Sequence, residues 1–283
     1  MGARQVIASA SSVPVHEGAG VRLRRAFGYH QIPQYDPFLL LDHFHSSRPE
    51  DYLPGFPWHP HRGIETITII WRGAVQHQDS LGNGGLIGPG AVQWMTAGSG
   101  TIHQEMPQGD ATGELWGVQL WSNLPAAHKM TAPRYQEFAA TEIPSVQVGD
   151  AHVRVICGQV GGVDGPVRDI FSMPVVADVW LPAMGFVKLP CESERNLFVF
   201  VVEGEVSCSL DGPYYGTDTV LQCADGDSLP LYSQVGMRAL VAHAAPYNEP
   251  IAWGGPIVMN TREELRQAFA EYQSGTFLKH STG

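Results

Sequence analysis

Between Ile64 and Trp121 the chain alternates apolar and polar residues in short runs, each ended by glycine. In Glu65–Trp71 the side chains of Ile67, Ile69 and Trp71 fall on one face, because successive residues of a strand point to opposite sides. Ala74–Asp79, Ala91–Met95, Thr101–Glu105 and Leu115–Trp121 are predicted as further strands. Leu81-Gly-Asn-Gly-Gly85, Gly88-Pro-Gly90 and Gly98-Ser-Gly100 separate them and supply the backbone freedom that tight turns need. The 32 glycines and 21 prolines are spread along the chain, so the same punctuation applies throughout. Many short, closely spaced strands fold as an antiparallel sandwich or barrel, and the predicted fold class is all-β.

The pattern returns once. Leu197-Phe-Val-Phe-Val-Val-Glu-Gly204 reads like Ile67-Thr-Ile-Ile-Trp-Arg-Gly73, the two glycines lying 131 residues apart. Ala224-Asp-Gly-Asp227 then stands where Gly88-Pro-Gly90 stood. Two β-domains of one design are expected, 1–138 and 139–283, joined through the polar, proline-containing stretch Gln136–Pro144. A length of 283 residues suits that division, at about 100–200 residues per domain. One short C-terminal helix is marked by the capping-box pattern Thr261-x-x-Glu264 and the apolar stripe Leu265, Phe269 and Tyr272 before Gly275. It is expected to pack on the outside of a sheet.

Composition removes several classes of function. Hydrophobic residues make up 43% and charged residues 16%, which excludes a disordered chain. A net charge of −11, with no basic cluster denser than Arg22, Arg24 and Arg25, argues against direct nucleic-acid contact. The longest apolar runs, Phe38–Leu41 and Leu197–Val202, fall far short of the roughly 18–20 residues of a membrane helix. Met1 to Pro14 lacks the apolar block of a signal peptide, and Cys157, Cys191, Cys208 and Cys223 form no C-x-x-C pair. A cytoplasmic protein with buried thiols is expected, with a Cys208–Cys223 disulfide as the alternative.

Two doublets carry the chemistry. His59-x-His61 and His103-x-Glu105 each put two metal donors on one face of a strand. Neighbouring strands would bring all four together inside a barrel. Three imidazoles and one carboxylate suit Fe(II), Mn, Co, Ni, Cu or Zn, and the nitrogen count disfavours Mg and Ca. One H-x-H alone would more often be a pair of structural histidines; the H-x-E doublet downstream tips the reading to a metal. Glu65 competes with Glu105 as the carboxylate. It shares the parity of His61 but lies roughly 13 Å along a straight strand, an objection that a bend at Arg62-Gly63 would remove, so spacing leaves both open. A second H-x-H, His43 and His45, has no comparable carboxylate and is expected to be a structural pair at the rim. His77 is a candidate for the cavity lining, and Phe56, Trp58, Trp94 and Met95 are candidates for core or cavity wall. Gly98-Ser-Gly100 lacks the spacing of a nucleophile elbow, and Gly82–Gly90 lacks the G-K-[ST] ending of a phosphate loop.

Taken together, several segments closely resemble the pirin family of the cupin superfamily. They are Tyr35-Asp-Pro-Phe-Leu-Leu-Leu-Asp42, Gly55-Phe-Pro-Trp-His-Pro-His-Arg-Gly63 with Glu65-Thr66, Gln93-Trp-Met-Thr-Ala-Gly98 and His103-Gln-Glu-Met-Pro107. Gly117-Val-Gln-Leu-Trp-Ser-Asn-Leu124 and Pro133-Arg-Tyr-Gln136 extend the match. The resemblance implies two stacked cupin barrels, a bicupin, with one metal, usually iron, in the N-terminal barrel alone. Its ligands carry over onto His59, His61, His103 and Glu105, and Glu65 becomes a group that steadies a ligand imidazole or a water. At the 131-residue offset His59 and His61 fall on Pro190 and Glu192, and the His103 region falls near Gln234. Two functions are implied. The first is an Fe(II)-dependent dioxygenase that cleaves flavonols such as quercetin with O2 and releases carbon monoxide, with Glu105 also taking the substrate's hydroxyl proton. The second is a non-enzymatic iron-binding regulator that acts through a transcription factor or a metabolic enzyme.

Overall fold

In the computed structural model, which describes residues 2–280, the alternating runs pair into antiparallel sheets. One compact unit, called N-terminal below, comprises Pro14–His30, Phe38–Ala140 and the chain from Tyr247 on. Its larger sheet has the order Arg134–Phe138, Val92–Thr96, Ile64–Arg72, Leu115–Asn123, Phe38–Ser46, Val21–Phe27 and Val13–Glu17. Its smaller sheet has the order Phe56–His61, Thr101–Gln108, Ala74–Asp79 and Gly84–Ile87. The alternation at Glu65–Trp71 suggests a strand with one wet face, yet every residue from Ile64 to Trp71 is buried. The polar face is buried because it looks into the unit: the Thr68 hydroxyl accepts a hydrogen bond from Gln119 on the adjacent strand.

The other unit, called C-terminal, comprises the chain up to Val13, Gln31–Pro37 and Thr141–Pro246. Its sheet has the order Val6–Ser11, Thr219–Cys223, Asn196–Val206, Met237–Ala244, Val175–Leu181, Ala151–Cys157 and Ser145–Val148, while Gly185–Pro190 pairs with Ser228–Ser233. Val187, Leu189, Val199, Leu221, Leu229 and Leu231 pack in its core. The repeat seen in the sequence is physical. Gly73 and Gly204 both adopt positive φ, 72° and 74°, and at both a Cβ would run into a backbone carbonyl, that of Gln108 or of Gly236.

The units differ from the sequence segments 1–138 and 139–283. Val6–Ser11 hydrogen-bonds along Thr219–Cys223 as an edge strand of the C-terminal unit, and Arg134–Phe138 is an edge strand of the N-terminal one rather than part of a joining stretch. The helix, Arg262–Gln273, also belongs to the N-terminal unit. Its capping box is complete: Glu264 N–H donates to Thr261 Oγ1 at 3.2 Å, and Thr261 N–H donates to Glu264 Oε2 at 2.9 Å. Its packed face is Ala268 flanked by Leu265 and Phe269, against Ile257, Met259 and Phe277. Tyr272, the third member of the predicted stripe, lies at the edge of that face with its ring 5.5 Å from Phe277. All four cysteines are free thiols. Among the described residues no helix is long and apolar enough to cross a membrane.

Candidate metal centre

The strands Phe56–His61 and Thr101–Gln108 are antiparallel neighbours, with His59 directly opposite His103 and His61 opposite Thr101. Opposed residues of such a pair share a face, so the two doublets meet as their spacing predicts. Ring centroids lie 4.4 Å apart for His59 and His103, 4.8 Å for His59 and His61, and 5.1 Å for His61 and His103. The three rings offer nitrogens within 4.8 Å of one another, a cluster that can hold a metal ion. His61 and His103 are buried and His59 is half-buried, at the open side.

The donor chemistry fits a cation. His59 Nδ1 lies 2.8 Å from the Pro57 carbonyl, and His61 Nδ1 lies 3.1 Å from the Pro256 carbonyl. A carbonyl only accepts, so each Nδ1 carries the proton and each Nε2 presents a lone pair. Those two Nε2 atoms face each other at 3.0 Å, an arrangement that a cation between them stabilises. Both nitrogens of His103 are buried without a hydrogen-bond partner. Burial holds His61 and His103 well below the usual imidazole range, and the neighbouring histidines add to the effect, so both rings keep their lone pairs.

Glu105 is buried beside the cluster, its Oε2 3.8 Å from His103 Nε2. Its Oε1 accepts from Gln119 Nε2 at 2.9 Å, while Gln119 Oε1 accepts from Trp121 Nε1 at 3.0 Å. Burial raises the Glu105 carboxyl, against the opposing pull of His59, Gln119 and His77. Glu65, the competing carboxylate, is turned elsewhere. A break at Gly63 (φ 77°) separates it from His61, and its Oε1 accepts from Thr96 Oγ1 at 2.7 Å on the neighbouring strand. That bond joins two strands of the larger sheet rather than a ligand ring.

The turn that follows His61 is anchored on both sides. Arg62 is buried, and its guanidinium donates to Ser99 O at 2.6 Å, Phe277 O at 2.7 Å and Glu271 Oε2 at 2.7 Å while lying over the Phe277 ring at 4.2 Å. Lys129 Nζ donates to Gly63 O, Asn123 Oδ1 and Val258 O at 2.8, 2.5 and 2.9 Å, one acceptor for each ammonium hydrogen. Parts of the C-terminal segment thus hold both His61 and the residues after it.

A cavity of about 740 Å³ opens onto His59, His61 and Glu105. Its walls include Tyr29, Phe56, Trp121 and Trp253, with the Trp121 and Trp253 rings 5.9 Å apart. The ion pair of Arg25 with Asp42, bidentate at 2.8 and 2.7 Å, forms a polar patch on the same wall. Burial raises the Asp42 carboxyl to about 6 despite that pair. Trp58 is exposed, and Trp94 and Met95 lie in the core rather than on this wall. His77 faces inward, opposite Glu105 on the next strand, with Nε2 2.6 Å from Glu137 Oε1. His43 and His45 are tied to structure: His43 Nε2 accepts from Trp116 Nε1 at 3.0 Å, and His45 Nε2 lies 2.8 Å from Glu114 Oε1. Sequence reasoning missed Gln119 and Trp253. Gln119 and Trp121 stand two apart in a predicted strand, a visible same-face signal; Trp253 had none.

Known proteins resemble this chain over nearly its whole length. Residues 20–122 match the family model described as Pirin, and residues 176–278 match the model described as Pirin C-terminal cupin domain. A pirin-like protein of Caulobacter vibrioides is 41% identical over 285 residues, covering 98% of this chain and 100% of its own. The crystal structure of quercetin 2,3-dioxygenase from Acinetobacter baumannii superposes with a TM-score of 0.90 at 33% identity, covering 100% of both chains. With two cupin domains, an all-β architecture and a histidine cluster in the first of them, the chain belongs to the pirin family.

Proposed function

We propose that the N-terminal cavity is the active site of a metal-dependent dioxygenase that cleaves flavonols such as quercetin with O2. The observation that carries the reading is the pair of Nε2 lone pairs, 3.0 Å apart, beside Glu105 at the floor of an aromatic-walled cavity. His59, His61, His103 and Glu105 are the proposed ligands, with Fe(II) as the proposed ion and Mn, Co, Ni, Cu or Zn compatible with the same donors. When bound, the ion would supply Lewis acidity toward a substrate oxygen.

The chain's own residues do the rest. Trp121, Trp253, Tyr29 and Phe56 give a flat aromatic substrate apolar surface and exclude water from its rings. The Arg25–Asp42 pair offers both donors and acceptors to ring hydroxyls. Glu105 would take the proton of the reacting hydroxyl on Oε2 once its bond to the ion loosens, as a carboxylate within hydrogen-bond reach can. Gln119 keeps Oε1 engaged, so Oε2 is the oxygen that turns to the substrate. The net reaction adds both oxygen atoms to the opened ring and releases one ring carbon as carbon monoxide.

The test is incubation of metal-loaded protein with quercetin, with and without O2. Flavonol loss with carbon monoxide release, dependent on O2 and absent in His61→Ala, is expected. Loss no faster than with the same metal free in buffer would replace this reading with the regulatory one.

A further inference from the structure

The C-terminal unit has a cavity of its own, about 840 Å³, that the dioxygenase reading does not use. It lies where the strands Ala151–Cys157, Gly185–Pro190 and Met237–Ala244 end, beneath the segment 158–174. The barrel interior beside it is apolar, with Leu189 opposite Leu229 and Val187 opposite Leu231 in the strand pair that answers to His59 and His103.

Two polar side chains converge on this cavity. His243 is buried, 4% exposed, on the face shared with its cross-strand neighbours Val175 and Leu197, and its Nδ1 has no hydrogen-bond partner. A buried polar nitrogen left unpaired costs about 1–3 kcal/mol, so a partner from outside the chain is favoured. Arg195 stands at the same wall. It donates to Met173 O at 2.8 Å and pairs with the exposed Glu192 at 2.6 Å, which leaves further guanidinium donors available. Behind the wall Arg4 is a buried cation, donating to Glu192 O at 2.7 Å and Ala224 O at 2.9 Å, with the exposed carboxylate of Asp225 3.6 Å away.

Arg195 and Arg4 are the charges that act on His243. Burial depresses this imidazole to about 3, and the charges of Arg195 and Arg4 add to the depression, so the ring stays neutral while its surroundings attract an anion. The acidic groups on the lining sit at the outside: Glu192 is taken by Arg195, Asp164 by Gln159 at 2.9 Å, and Asp169 is exposed. Ile170, Val175 and the exposed Met173 give the wall an apolar part, and the exposed Arg168 adds a second guanidinium to the lining. We propose that this cavity binds a small organic carboxylate with an apolar ring or chain, its carboxylate held by Arg195 and His243 and its body against Ile170, Met173 and Val175.

Benzoate and the uncharged benzamide are the probes, titrated into the full-length, zinc-loaded protein by calorimetry, with the ¹⁵N-labelled histidine rings followed by NMR. The His243 ring signals, assigned by their loss in His243→Gln, are expected to move with benzoate. Benzoate should bind at least about ten-fold more tightly than benzamide, and lose at least about ten-fold in Arg195→Gln, the scale of one lost charge contact. Binding should be unchanged in the His59→Ala/His103→Ala double variant, which separates this site from the N-terminal one. An unmoved His243 signal, equal affinity for benzamide, or full affinity in Arg195→Gln would overturn the proposal. If Arg195→Gln does not fold, the benzoate–benzamide difference and the His243 signal in the unaltered chain decide it.

Discussion

Gln119 Nε2 donates to Glu105 Oε1 across 2.9 Å. Because Trp121 Nε1 fills the amide oxygen on the other side, the Gln119 side chain has one orientation, and it fixes which carboxylate oxygen faces the histidines. Gln119→Leu keeps the bulk and removes that grip. Turnover per bound metal should fall about 10–100-fold, the usual effect of losing a group that orients a ligand. Steady-state kinetics at measured metal content checks this; unchanged kcat would remove Gln119 from the machinery.

The two carboxylates near the site should separate in metal affinity. Glu105 points to the histidine cluster, whereas Glu65 is bonded to Thr96 within the larger sheet. Glu105→Gln is therefore expected to weaken metal binding more than Glu65→Gln in a chelator competition. The reverse order would exchange their roles.

Glu65 should announce itself in stability instead. Burial lifts its carboxyl from 4.5 to about 7, outweighing the Thr96 and Trp94 hydrogen bonds and the Arg134 charge. Between these values the unfolded chain releases a proton that the folded chain keeps, so stability falls as pH rises from 4.5 to about 7 and is level above. Glu65→Gln removes that dependence. Relative to the unaltered protein it should gain up to about 3 kcal/mol above neutrality and little at acid pH. Denaturant midpoints across pH give the answer, and a gap that does not change with pH would contradict it.

The convergence of the two doublets was legible because its information is local: period two sets the face, and one strand pairing joins His59 to His103. The repeat was legible for the same reason, since Gly73 and Gly204 meet the same backbone demand. The boundaries of the units were not legible. Val6–Ser11 and the helix Arg262–Gln273 look like the ends of their own halves, and only long-range backbone pairing and the burial of Ala268 and Phe277 show which core they complete. Parity and spacing left Glu65 and Glu105 both open, because the turn at Gly63, which resets the direction of the strand after His61, is not legible as a bend from the sequence.

Arg62 tests the anchoring of the turn after His61. Arg62→Met leaves Ser99 O and Phe277 O without their donor and deprives Glu271 of one partner. Removing one side of a buried charged network costs about 3–5 kcal/mol, and the denaturant midpoint should drop accordingly. Metal should also leave faster to a chelator, because the residue beside His61 is no longer held. Unchanged stability would mean that the helix and the Phe277 segment do not brace the site.

Elemental analysis of purified protein shows whether His59, His61, His103 and Glu105 of the N-terminal unit hold a metal ion. Close to one transition-metal ion per chain is expected, lost in the folded His59→Ala/His103→Ala double variant. Stoichiometric metal retained by that variant would contradict it.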